Sequence, residues 1–158
     1  MGVQKYVSSV KTVNWSNNVV YDKLSNLEFL NFMFSPENME RVKSQMGDKA
    51  SDMNIENFSA DRDTCQFKLP KVGMIGLRIV EREELKVVKI VTDEGTPIKL
   101  TMWVQILPLN DASCKIRVTI HASLNVMMKV MLGKKLEGGI EQIADGLAQI
   151  PYGMIPNS

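Results

Sequence analysis

Few residues of this chain have the types and spacing that chemistry needs. There is one histidine, His121, whereas a metal site or a Ser-His-Asp set needs several such groups converging. Alternation in its segment sets His121 opposite Ile120 and Ala122, toward solvent, as an ordinary surface histidine. The acids Glu81, Glu83 and Glu84 could supply a carboxylate pair for acid–base work. They fall at a hairpin end, however, where charges keep sheet edges solvated. Glu81 stands apart, because its parity matches Ile75, Leu77 and Ile79. If that face lines a cavity, Glu81 is expected near the rim, as a polar contact for a ligand. Arg78 has the opposite parity. Gly73 and Gly76 are spaced too loosely for a phosphate loop and fall in a strand, so a bend in the sheet is their expected use. Cys65 and Cys114 belong to no paired motif and read as buried free thiols. No catalytic residue, no metal and no cofactor is expected from these positions.

The 158 residues suit one domain spanning the whole chain, 1–158. Lys and Arg number 19 against 18 Asp and Glu, with no basic stripe, so no nucleic-acid partner is expected. No apolar run reaches the length of a membrane span. The first residues lack the apolar core of a signal peptide, and Tyr6 stands where a myristoylation pattern needs Ser or Thr. A cytoplasmic location is the expectation, and the triplets at Asn14 and Asn57 are chance glycosylation matches.

The elements that would position a site follow from periodicity. Residues 6–14 are rich in β-branched types and predict a strand, although Val7 and Val10 share no face unless a bulge intervenes. Ser16 offers an N-cap for a helix carrying Val19, Val20 and Leu24. A second helix starts at Leu27 with Phe29, Leu30, Met33 and Phe34. Pro36 interrupts it before a further turn or helix carrying Met39 and Val42, and residues 45–52 form a polar loop. From Met53 the period becomes two. Strands are predicted at 55–60, 64–69, 74–83, 85–92, 98–107 and 112–124, with turns at 61–63, near Glu83 and Glu84, and at 108–111.

Residues 126–150 then predict one long helix with Met128, Met131, Leu132, Leu136, Ile140, Ile143, Leu147 and Ile150 on an apolar face. Gly138 and Gly139 on it permit either a close backbone approach, an exposed pair, or room for a ligand. Residues after Pro151 look loosely held. Strands grouped apart from helices make the class α+β, with an antiparallel sheet covered on one face.

Three stretches carry a family resemblance. Ser9-Val10-Lys11-Thr12-Val13-Asn14 runs into Val20-Tyr21-Asp22-Lys23-Leu24-Ser25-Asn26-Leu27; Val72-Gly73-Met74-Ile75-Gly76-Leu77-Arg78-Ile79-Val80-Glu81-Arg82 follows; and Leu124-Asn125 leads through Leu136 to Ala144-Asp145-Gly146-Leu147-Ala148-Gln149-Ile150-Pro151. Together they resemble the START-like or SRPBCC superfamily, the helix-grip fold shared by birch-pollen-allergen-like and polyketide cyclase-like proteins. The resemblance implies a curved antiparallel sheet of about six or seven strands wrapped around a long C-terminal helix. Two short helices follow the first strand, and a cavity lies between sheet and helix. Members bind lipids, sterols, hormones or polyketides; some are enzymes and some bind a chaperone.

The expected function is therefore binding of a hydrophobic small molecule or lipid without catalysis. A cyclase-like or hydrolase-like enzyme and a chaperone-stimulating interaction module are the alternatives. The expected lining from the first part of the chain is Phe29, Met33, Ile75 and Leu77. From the later strands and helix it is Met102, Val104, Val118, Met128, Met131, Leu132 and Leu136. Methionine suits such a wall because it adapts to irregular gaps. Trp103 opposes Met102 and falls on the outer face or at an edge, while Trp15 is placed to cap one end of the core. A gate is expected among residues 27–34, 93–97 and the start of the last helix.

Overall fold

A computed structural model describes residues 3–35, 37, 38, 40, 56–69, 73–96, 98–124 and 126–155. The expected turn or helix with Pro36, Met39 and Val42 and the loop at 45–52 lie outside the described residues. In chain order the elements are β1 (Val3–Val7), β2 (Lys11–Val13), α1 (Asn17–Leu24), α2 (Phe29–Met33), β3 (Glu56–Ala60), β4 (Thr64–Leu69) and β5 (Gly73–Glu83). Then come β6 (Val87–Thr92), β7 (Lys99–Asn110), β8 (Ser113–Ser123), α3 (Val126–Gln149) and a 3-10 turn, Tyr152–Met154. The strands form one curved, unclosed antiparallel sheet in the order β1-β8-β7-β6-β5-β4-β3, with β2 also paired to β8. Among the described residues no helix is long and apolar enough to cross a membrane.

The predicted first strand divides in two, and Ser8 is the cause. Its N–H donates to the Val118 carbonyl at 2.8 Å, and its Oγ accepts from the Val118 N–H at 2.9 Å. Val7 pairs with Thr119 but Lys11 with Ile116, so one extra residue is accommodated here. This bulge resets the alternation and leaves both Val7 and Val10 exposed.

The remaining hairpins form where alternation and turn chemistry placed them. Asp61 Oδ1 accepts from the N–H groups of Asp63 and Thr64 at 3.0 and 2.8 Å, closing the β3–β4 turn. The β7–β8 turn is tighter than predicted. β7 continues through Pro108, which is tolerated because β6 pairs only as far along as Gln105 and leaves that end of β7 an edge. Ser16 takes the N-cap position of α1 but makes no side-chain capping bond, contrary to its expected role; its carbonyl accepts from Val20 instead.

Two buried clusters fill the concave side. The larger joins α1, α2 and the C-terminal turn to the sheet, through residues such as Val20, Leu24, Phe29, Val88, Ile106, Ile116 and Tyr152. The smaller holds Val118 and Ile120 of β8 against Ile140 and Ala144 of α3. Ile143, predicted on the apolar stripe, is 40% exposed. The helix rests on the sheet through Ile140 and Ala144, which turns Ile143 to the flank.

A polar clamp fastens α3 to the amino-terminal strands. Lys11 Nζ lies 2.8 Å from Glu141 and 2.9 Å from Asp145, while Ser9 donates its N–H and Oγ to Glu141 at 2.6 and 2.9 Å. The Lys11 ammonium and then the two Ser9 bonds hold the Glu141 carboxyl down at about 2, and Glu141 and Asp145 raise Lys11 above 10.5. Because Glu141 is depressed, its contribution is present above the ordinary value of 4.5 and is lost as pH falls through about 2. Lys11 is raised, so its contribution is present below 10.5 and is lost at higher pH. Replacing Lys11 with methionine is expected to move the Glu141 titration up toward 4.5 and to flatten the acid limb of stability between the two values. NMR titration of the Glu141 carboxyl checks this, and an unmoved midpoint would discount the clamp.

Candidate functional site

The concave faces of β4 to β8 carry the apolar side chains that a pocket would need. Cross-strand register puts Phe67 opposite Ile75, Cys65 opposite Leu77, Ile90 opposite Met102, and Leu100 opposite Ala122. Most of these side chains are buried, including Ile75, Val104 and Val118. Phe67, Leu77, Leu100 and Met102 share that side yet are only half-buried. Met102 lies where the clusters meet, for it and Leu147 pack against both, while Leu100 packs against the smaller one.

Of the predicted lining, Phe29, Leu77, Met102 and Val104 gather in or against the larger cluster, and Val118 meets Met102 in the smaller one. Ile75 is buried outside both clusters, and Leu136 is half-buried on α3. The side chains of Met33, Met128, Met131 and Leu132 lie outside the described residues. Gly138 and Gly139 are not points of close approach, since a Cβ at either would meet nothing within 4 Å.

Glu81 is not on the predicted face. Ile79 pairs with Ile90 and Glu81 with Lys89, so Val80 is an extra residue that reverses the parity beyond it. Glu81 is exposed, on the same side as Lys89, whereas Arg82 shares the side of the buried Val88. The regular alternation of Ile75, Leu77 and Ile79 gives no sign of this bulge, and Arg82 was missed for that reason. Its Nε donates to the Ser25 carbonyl at 2.8 Å and its Nη2 meets Asp63 at 2.5 Å, joining the α1–α2 junction to the β3–β4 turn. Arg78 faces the other way and pairs with Asp93 at 3.0 Å.

Burial raises three further ionisable groups on the concave side, Cys65, Cys114 and Tyr152. Burial, aided by Asp93 and Asp61, pushes the Cys65 thiol up to about 11, and burial raises Cys114 as well. Neither sulfur is an activated nucleophile. Burial also raises the Tyr152 hydroxyl, which donates to the Leu147 carbonyl at 2.6 Å. Among the described residues no three His, Cys, Asp or Glu side chains converge as metal ligands.

Of the predicted gate, the loop at Asp93 is held against β5, while the start of the last helix borders a groove. Asp93 N–H donates to Gly76 O at 2.8 Å and Thr96 Oγ1 accepts from Gly76 N–H at 3.1 Å, which fastens this loop to β5. A Cβ on residue 76 would lie 2.9 Å from Asp93 Oδ2, so glycine permits the contact. An open groove of about 540 Å³ separates β1 from α3, bordered by Gln4, Tyr6, Lys129, Gly133, Glu137 and Ile140. Tyr6 and Ile140 also belong to the smaller cluster, so the groove adjoins the concave interior.

No family model matches the chain, and no curated protein matches it in sequence. Solved structures do match in three dimensions. Norcoclaurine synthase from Thalictrum flavum, in complex with dopamine and hydroxybenzaldehyde, superposes with a TM-score of 0.61 at 10% identity, covering 99% of this chain and 90% of that one. A START superfamily protein from Mycobacterium smegmatis gives 0.53 at 13% identity, over 89% and 98% of the two chains. A conserved protein from Geobacillus kaustophilus gives 0.55 at 13%, over 91% and 89%. Identity at this level speaks to architecture alone: an unclosed antiparallel sheet against a long C-terminal helix, which is the START-like, helix-grip fold.

Proposed function

We propose that the protein binds a hydrophobic small molecule or lipid between its sheet and its C-terminal helix, without catalysing a reaction. The observation that carries this reading is the set Phe67, Leu77, Leu100 and Met102, apolar side chains on the concave face that stay half-exposed among buried neighbours. Each square ångström of apolar surface withdrawn from water is worth about 25 cal/mol, so an apolar guest covering these residues gains affinity from them. The groove between β1 and α3 supplies a route of entry.

An enzyme of the cyclase or hydrolase kind is the second reading, favoured by the likeness to a synthase that holds two aromatic compounds. Against it weigh the states of the concave ionisable groups: Lys11 and Arg82 are ion-paired, and Cys65 holds its proton.

Leu77→Trp separates an occupied pocket from a solid core. Titration with the neutral dye Nile red is expected to show saturable fluorescence with the native protein. The variant should bind about tenfold more weakly, a loss of about 1.4 kcal/mol, with its melting temperature nearly unchanged. A solid core would show no dye binding and would lose about 1–3 kcal/mol of stability from the overpacking.

A further inference from the structure

The convex face of the sheet carries a second set of side chains that the interior does not use. Register places Lys5, Trp103, Arg117 and His121 there, on the side opposite the buried Val104, Val118 and Ile120. They border an open groove of about 730 Å³ that runs across β1, β8 and β7 to the β5–β6 turn at Leu85 and Lys86. That volume suits one small molecule.

Two features of the groove are organised before any ligand arrives. Gln105 Oε1 accepts from Arg117 Nε at 2.9 Å and from Nη2 at 2.5 Å, across directly paired strand positions. Those bonds fix the plane of the guanidinium, and its other N–H groups form no hydrogen bond among the described residues. A planar guanidinium with a free edge is a fork for a carboxylate. Beside it, the rings of Trp103 and His121 meet edge to face with centroids 4.6 Å apart, and Lys89 Nζ sits 5.5 Å from the Trp103 centroid. Both contacts restrain the Trp103 ring, which with His121 makes an aromatic wall.

Charge complements the geometry. Lys5, Lys86 and Arg117 border the groove against one carboxylate, Glu83. Neither Lys5 nor Lys86 has an ion-pair partner among the described residues. The cations are scattered from residue 5 to residue 117, and only strand pairing gathers them. Apolar surface lies between them, since Val7 and Leu107 are 45% and 49% exposed.

We propose that this convex groove binds a small planar aromatic carboxylic acid, its carboxylate forked on Arg117 and its ring against Trp103 and His121. The assignment is independent of the interior pocket. Titrating the full chain with naphthoate, followed by amide NMR, is expected to give saturable shifts confined to β1, β7 and β8. Arg117→Gln and Trp103→Leu should each weaken binding about tenfold, the loss of one charge-assisted or one stacking contact. Naphthylmethanol, the neutral analogue, should bind more weakly by a similar factor, and Leu77→Trp should change nothing. Equal binding of the neutral compound, or an unaltered affinity in Arg117→Gln, would overturn the proposal. So would a polyuridine oligonucleotide that saturates this face at lower concentration than naphthoate, because the surface would then be a nucleic-acid platform.

Discussion

Tyr152→Ala is expected to destabilise the protein by about 3–5 kcal/mol, the usual loss when a large buried aromatic side chain is removed. Tyr152 is fully buried in the larger cluster although it stands beyond the end of α3. Its ring fills space near Cys114, whose thiolate would disfavour a charged Tyr152. Its hydroxyl bonds the Leu147 carbonyl, one of the last four carbonyls of α3, which have no partner within the helix. Tyr152→Phe separates the two contributions: it keeps the ring, so it should cost only about 0.5–1.5 kcal/mol for the lost hydrogen bond. Urea denaturation of both variants measures the difference. A cost below about 1 kcal/mol for Tyr152→Ala would mean that the C-terminal turn is not part of the core. Since a domain has only about 5–15 kcal/mol of net stability, the expected loss puts folding itself at risk.

Gly153→Val, one residue further on, should cost about 1–3 kcal/mol through overpacking. A Cβ there would lie 2.6 and 2.7 Å from Cε3 and Cη2 of Trp15 and would also collide with Cζ3. Trp15 is half-buried and packs against the larger cluster, so its rigid ring has little freedom to withdraw. Pairing the substitution with Trp15→Leu opens the space and should recover part of the loss. The two costs are therefore expected to be non-additive by about 0.5–3 kcal/mol in a double-mutant cycle. Strict additivity would show that the two residues do not meet in solution. Both predictions concern a segment whose sequence looked loosely held, and which the structure makes a stopper at one end of the larger cluster.

The order of elements was legible because each rests on a local period. Alternation over residues 98–107 and 112–124 marked the two longest strands, and spacings of three and four over 126–150 marked α3. Parity also placed Trp103 and His121 on the convex face, where they lie. It failed at Val80, where a single extra residue flips every position after it, whereas the broken parity of Val7 and Val10 signals the bulge at Ser8. Glu81 and Arg82 changed sides on that account. The clamp of Lys11 to Glu141 joins positions separated by 130 in the chain, a contact that no local pattern encodes.

The amino-acid sequence by itself determined the α+β class, the sheet with one covered face and the long helix laid against it, since short-range periodicity is enough to specify each. Tertiary structure alone decided which charges face one another. Lys5, Lys86 and Arg117 look like an even scatter in a balanced chain, and pairing of β1, β8 and β7 brings them to one groove beside Trp103. It also decided that Tyr152 and Ile155 are core residues, because burial past the end of a helix depends on what the helix end meets in space.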